Sequence, residues 1–246
     1  MEDKNAIVTG ATRGIGKAVV RLFAERGISV WACGSKENSE FESEIRELAE
    51  EYDVRITPVY FDLRKEESVK DAIRDIIKEK KTIDILVNNA GVPTGGTMLM
   101  TSLQTLRDVM EVNYIAQIQI IQLVARVMIR QKSGVIINMG SVGGIEAREG
   151  YLAYGSSKTA LMWATRSISK ELAPYNIRVN AIAPGLVETD MGQYKKDEER
   201  NKILNATSMK RMGRPEEIAE VVYFLASDES SFITGSIINA DGGRLI

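Results

Sequence analysis

The feature that most constrains this chain is an alternation running from end to end. Short β-branched apolar runs are separated by longer amphipathic stretches. "NAIVTG", "ISVWAC", "VRITPVYFD", "IDILVNN", "GVIINMGS", "NIRVNAIAPG" and "GSIINADGG" read as strands, and most are apolar nearly throughout rather than at every second residue. Continuous burial of that kind belongs to a parallel sheet whose crossover helices cover both faces. Helices are expected over 14–26, from about Glu40 to Tyr52, and from near Tyr151 to Ala173, where Pro174 stops the last one. In that last helix Leu161, Ala164, Thr165, Ile168 and Leu172 form one apolar stripe.

No linker, low-complexity segment or tandem repeat breaks the pattern. The expectation is a single α/β domain over 1–246, a doubly wound Rossmann-type parallel sheet with right-handed crossovers. The least regular segment is 186–215. It holds "YKKDEERNK", expected as a solvated helix, and "MKRMGRPEE", where Arg214-Pro215 opens another. A segment of this kind after a strand end is expected to form a substrate lid.

Composition excludes more than it suggests. The net charge is −2 with 27% charged residues, which gives no field for nucleic acid or an anionic membrane. Acidic residues stand in "MEDKNAIVTG" where a secretory leader would be basic. The most apolar helical stretch, Ile115 to Ile129, is interrupted by Gln117, Gln119, Gln122 and Arg126, so no bilayer span is expected. One cysteine, Cys33, excludes an internal disulfide and fits a reducing cytoplasm. There is no histidine. A Ser-His-Asp triad, a Cys-His pair and a His-Glu-x-x-His zinc site are therefore impossible, and no metal site is expected. Proton transfer near neutral pH falls to Tyr, Lys, Asp, Glu or water.

The first strand runs directly into "TGATRGIG". Gly10, Gly14 and Gly16 allow a tight turn and close approach to a pyrophosphate over the following helix N-terminus, with Thr12, Arg13 and Ile15 inside the turn. Its position as the first βα turn strengthens a motif that is weak alone. A P-loop is excluded, since Ala11 replaces its first glycine and Ala18 its Ser/Thr. The second strand ends Cys33-Gly34-Ser35-Lys36, with no carboxylate before Glu37 to grip a ribose 2′-hydroxyl. Arg13 and Lys36 favour a 2′-phosphate instead, hence NADP(H) over NAD(H).

"YLAYGSSK" at 151–158 carries two phenols and one amine. Residues four apart share a helix face, so Tyr154 and Lys158 are neighbours. A phenol titrates near 10, and a nearby ammonium together with an oxidised nicotinamide ring would lower it. Tyr151 lies ~10 Å further along the helix axis from Lys158. Spacing thus chooses Tyr154 as the acid, and Tyr151 becomes a pocket wall or core aromatic and a candidate substrate contact. Ser141 ends the preceding strand, at the sheet edge where ligands bind, and could hold a carbonyl oxygen beside Tyr154.

Taken in order, "TGATRGIG", "DILVNNAG", Gly140-Ser141, Tyr154-Gly-Ser-Ser-Lys158, Ala183-Pro184-Gly185 and the late "ADGG" resemble the short-chain dehydrogenase/reductase family. The resemblance spans nearly the whole chain. It implies that Tyr154 is the general acid/base, that Lys158 lowers its pKa and binds the nicotinamide ribose, and that Ser141 orients the substrate oxygen. Asn113, in "VMEVNY", would support a water-linked proton relay to the lysine. The resemblance assigns the cofactor a surface that includes Ser35, Lys36, Asp62, Leu63, Asn89, Ala90, Gly91, Pro184 and Gly185. Val187 and Thr189 would meet the nicotinamide carboxamide.

Among short members the chain is most similar to 3-oxoacyl-(acyl-carrier-protein) reductases, in "GSVGG", "VNAIAPGLVETDM" and "RMGRPEEIAEVVYFLASD". That implies NADPH-dependent reduction of a 3-oxoacyl thioester, with acyl carrier protein as a partner, in a homotetramer packed through helices around 104–130 and 151–174. Two departures stand out. "VPTGGTMLM" follows "NNAG" in place of a Thr-Arg-Asp-Asn run, and Lys132 and Tyr175 stand where two carrier-binding arginines are usual, with Arg130 and Arg178 close by. Steroid, sugar, gluconate or polyol dehydrogenases share the general pattern. A non-catalytic NADP-binding scaffold or redox sensor is the alternative of another class.

Overall fold

Neighbouring residues of the central strands pack into different cores. In a computed structural model describing residues 4–193 and 197–244, Ala6 and Val8 of β1 (Asn5–Thr9) join one buried cluster and Ile7 joins the other. Val30 and Ala32 of β2 (Ser29–Gly34) alternate with Trp31 and Cys33 in the same way. Strands buried on both sides account for the near-continuous apolar runs.

The other strands are β3 (Ile56–Tyr60), β4 (Ile85–Asn88), β5 (Gly134–Met139), β6 (Ile177–Pro184) and β7 (Ile237–Ala240). All seven pair in parallel in the order β3-β2-β1-β4-β5-β6-β7, as a doubly wound sheet requires. One face is covered by α1 (Gly14–Glu25), α2 (Ser39–Glu51) and a late helix over Pro215–Ala226. Val19, Phe23, Phe41, Val222 and Leu225 fill the core there. On the other face lie α3 (Glu66–Lys78), α4 (Leu103–Met110), α5 (Ala116–Gln131) and α6 (Leu152–Leu172), with Ile73, Ile120, Val124, Met128 and Leu172 against the sheet. Each such side chain taken from water contributes about 1.5–3 kcal/mol.

Each expected strand forms, trimmed by a few residues at its ends. In α6 the expected stripe is buried at Leu161, Ala164, Thr165 and Leu172, with Ile168 partly buried. One expectation needs correction. α4 and α5 join through a π-turn at Glu111–Ile115 into one helix over Leu103–Gln131, long and apolar enough to meet the length and composition of a membrane span. Half of its most apolar window is buried inside the protein, because its apolar stripe is what the sheet needs as cover.

The segment after β6 forms α7 (Asp190–Gln193) and α8 (Asp197–Asn205), and α9 is the helix Pro215–Ala226 named above. Of the expected solvated helix, Tyr194 to Lys196 lie outside the described residues. The excursion is pinched at its base, where Val187 bridges Gly213 and their neighbours exchange backbone hydrogen bonds at 2.9 Å.

Candidate active site

Between β1 and β4 the chain order reverses, and the C-terminal strand ends there form the crevice where open α/β sheets bind ligands. β1 enters α1 through Gly10 and Gly14, whose φ angles of +64° and +55° suit glycine. A Cβ on Gly10 would stand 2.9 Å from Ala90 Cα, and one on Gly16 would run into the Gly10 carbonyl. No side chain caps α1. Its first N–H groups therefore remain available to an anion, and the turn fits a dinucleotide pyrophosphate.

Asn89 clasps this turn from the β4 side. Its N–H and that of Ala90 donate to Thr9 Oγ1 at 3.0 Å, while its amide donates to the carbonyls of Thr9 and Gly10 at 3.0 and 3.1 Å. Asn89, Ala90 and Gly91 are thus held beside the glycines. Thr12 reaches the end of β2, with Cγ2 2.8 Å from where a Gly34 Cβ would be. Ser35, Lys36 and Glu37 are exposed beyond it. Asp62 and Leu63 follow β3 on the same edge, Asp62 accepting from the Arg64 N–H at 3.0 Å. Thr189 Cγ2 comes within 3.0 Å of a Cβ placed on Gly14, so the chain after Pro184-Gly185 returns to the turn. Arg13 pairs with Asp190 at 3.0 Å, both well exposed.

On α6, Lys158 is buried and its Nζ donates to the Met139 carbonyl at 2.8 Å. That ammonium lies 6.0 Å from the Tyr154 ring centroid. Burial pushes the lysine down to about 8. Tyr154 is shifted upward by the protein's own groups. Desolvation raises the phenol above 10, its hydrogen bond with Ser141 pulls the other way, and Tyr151 adds to the rise. Protein groups alone do not lower it: burial outweighs the pull of Ser141, and the Lys158 ammonium donates to a backbone carbonyl.

Asn113 sits in the π-turn, fully buried. It accepts from the Val92 N–H at 2.8 Å and donates to the Val92 carbonyl and to Ser157 Oγ, each at 3.1 Å. Ser157 in turn donates to the Tyr154 carbonyl at 2.7 Å. A widened turn at a polar residue re-aims its side chain off the helix ladder, and here it ties the helix to α6 beside the tyrosine.

Tyr151 departs from helical spacing. It is the N-cap of α6, not part of it, and its ring stands edge-on to Tyr154 at 5.9 Å. A Cβ on Gly143 would meet that ring at 2.6 Å, so the bare backbone at Gly143 makes room for it. A cavity of about 930 Å³ opens beside this ring, lined by Met98, Tyr114, Ile145 and Trp163 among others. Gly155, Ser156 and Thr159 of α6 also line it, whereas Tyr154 and Lys158 do not.

Sequence reasoning missed several partners. Asn88, Asn138 and Thr165 form a buried chain across β4, β5 and α6, with bonds of 3.0 and 2.9 Å. Asp190 and the Glu146–Arg244 pair were also not anticipated, since nothing local marks residues that meet only in three dimensions. Arg178, close to Tyr175 in sequence, is engaged inside the fold. It donates to the carbonyls of Leu225 and Ser227 and to Ser230 Oγ, closing the end of α9, and is not a free surface cation. Arg130 and Lys132 remain exposed.

An aliphatic hydroxyl, a phenol and a buried ammonium thus converge at the sheet edge beside a dinucleotide turn. Such a set can hold an oxygen that gains negative charge and give it a proton.

The chain is similar to known proteins over its whole length. A family model described as enoyl-(acyl carrier protein) reductase matches residues 10–244. The chain belongs to the short-chain dehydrogenase/reductase family, a family of oxidoreductases. It is 38% identical to a 3-oxoacyl-(acyl-carrier-protein) reductase of Thermotoga maritima, over 100% of this chain and 99% of that one. A 3alpha-hydroxysteroid dehydrogenase of Mediterraneibacter gnavus is 36% identical, covering 98% of this chain and 97% of its own. The crystal structure of a 3-oxoacyl-(acyl-carrier protein) reductase from Brucella melitensis superimposes with a TM-score of 0.88 at 30% identity, over 100% of this chain and 92% of that one.

Proposed function

We propose that the protein reduces the ketone of a 3-oxoacyl thioester to a secondary alcohol using NADPH. The observation that carries this is the grouping of Tyr154, buried Lys158 and Ser141 at the edge where the glycine turn opens, with Lys158 Nζ held on the Met139 carbonyl two residues before Ser141. The cofactor would be held over Gly10, Gly14 and Gly16 and, when bound, would supply the hydride for the carbonyl carbon. Tyr154 gives its proton to the oxygen, so that hydride plus proton make the alcohol. Ser141 and the phenol together donate to that oxygen as charge develops. Lys158 would bind the nicotinamide ribose, and Asn113 would support a water-linked proton relay to that lysine. Arg13 and Lys36, with no carboxylate ending β2, support the 2′-phosphate.

A steroid alcohol or ketone is the second reading, favoured by the hydroxysteroid dehydrogenase relative. We further propose a cytoplasmic homotetramer packed through α4–α5 and α6, whose outer faces expose Leu103, Ile115 and Trp163. Acyl carrier protein is the proposed donor of the thioester.

The test is a panel of 3-oxoacyl thioesters, steroids, sugars and polyols with both cofactors. Turnover confined to steroids would replace the thioester reading. Cofactor binding with no turnover on any member would reject catalysis. A stable monomer in sedimentation would reject the tetramer.

A further inference from the structure

Glu146 lies in the loop between β5 and α6, five residues before Tyr151. Two arginines converge on it. Arg244, near the C-terminus and with only 9% of its side chain exposed, grips the carboxylate with Nε at 3.0 Å and Nη2 at 3.2 Å. Its remaining nitrogen, Nη1, donates to the Ile203 carbonyl in α8 at 3.0 Å. From the other side, Arg148 donates to the same carboxylate through Nε at 3.2 Å and through Nη2 at 2.5 Å. The Arg148 guanidinium stands 5.7 Å from the Tyr151 ring centroid, and that ring meets Tyr154 edge-on. Both arginines hold Glu146 below the usual carboxylate range.

Forked arginine–carboxylate pairs fix orientation as well as charge. Exposed ion pairs contribute little, but this one is largely covered and shared by two guanidiniums. The C-terminal strand extension is itself anchored to the segment after α8. The Met209 N–H donates to the Gly242 carbonyl at 3.0 Å, and Ser208 Oγ donates to the Gly243 carbonyl at 2.8 Å.

We infer that Arg244, acting through Glu146 and Arg148, positions the Tyr151 wall of the substrate site against α8, and so sets how the ketone is presented to Tyr154. This deepens the proposed function and rests on it in taking Tyr154 as the proton donor and Tyr151, edge-on to it, as a wall of the site. Arg244 touches no reacting atom; it is a positioning residue.

The experiment compares wild type with Arg244→Gln, Arg244→Lys, Glu146→Gln and the double variant Arg244→Gln/Glu146→Gln. The assay uses a 3-oxoacyl thioester or whichever ketone the wild type turns over. Arg244→Gln should raise KM for the ketone about tenfold, the size of one charge-assisted hydrogen bond, with kcat and cofactor Kd within about twofold. Arg244→Lys, which keeps the charge without the fork, should fall between. The double variant should be no worse than Glu146→Gln alone, since the two act as one unit. Unchanged KM in Arg244→Gln would overturn the inference, as would equal losses in KM, kcat and cofactor binding alongside a lower Tm. If Arg244→Gln does not fold, Arg148→Gln decides, because it leaves the Arg244–Ile203 contact intact and should raise KM in the same way. A wild type inactive on thioesters but active on another ketone would fail the functional reading while leaving this comparison intact.

Discussion

The Lys158 ammonium donates to the backbone carbonyl of Met139 at 2.8 Å. The charge on α6 is thereby docked onto the last residue of β5, and Ser141 follows two residues later. Because that carbonyl is a dipole and not a counter-charge, burial dominates and the amine is pushed down to about 8.

The stability of the fold should therefore depend on pH through this group. Between about 8 and 10.5 the unfolded chain keeps a proton that the folded protein has shed, so stability rises with pH across that window. Denaturant unfolding of wild type and Lys158→Met at pH 7 and pH 10 measures this. The difference should shift toward the wild type by up to about 3 kcal/mol. A difference that stays flat would mean the amine is not buried as an ammonium.

Tyr154→Phe should lower kcat at least about a hundredfold, the reach of a positioned acid, with cofactor Kd nearly unchanged. Ser141→Ala should be milder, since the phenol keeps its proton. The Ser141 bond draws the Tyr154 pKa down, so its removal should move the alkaline limb of the pH–rate profile to higher pH. Steady-state rates from pH 6 to 11 and cofactor titration are the measurements. Wild-type rates in the phenylalanine variant would end the proposed mechanism.

Arg13 faces a choice between Asp190, 3.0 Å away, and a 2′-phosphate. Arg13→Ala should weaken NADPH about tenfold while leaving NADH within about twofold, because a lost charge-assisted bond affects only the phosphorylated cofactor. Asp190→Asn should tighten NADPH modestly, and more at low salt, since the competing pair is exposed and screened. Fluorescence titration with both cofactors reads this. Equal effects on the two would remove Arg13 from 2′-phosphate recognition.

The sequence by itself determined the sheet, since runs apolar on both faces can sit only between two helical layers, and β1 through β7 form where those runs stand. It also determined the glycine turn and the Tyr154–Lys158 face, because both are set by spacing along the chain. What only the tertiary structure decided are contacts between segments far apart in sequence. Tyr151 lost its helical offset because the bare backbone of Gly143 lets its ring fold back toward Tyr154. Arg178 was drawn inward by the carbonyls ending α9, and Arg244 found Glu146 across ninety-eight residues. The Tyr154 phenol is raised because burial outweighs the pull of Ser141, while the Lys158 ammonium donates to a strand carbonyl. Local periodicity fixes which residues share an element. The direction of a long polar side chain depends instead on which orphaned donor or acceptor packing brings within about 3 Å, and no window of sequence contains both partners.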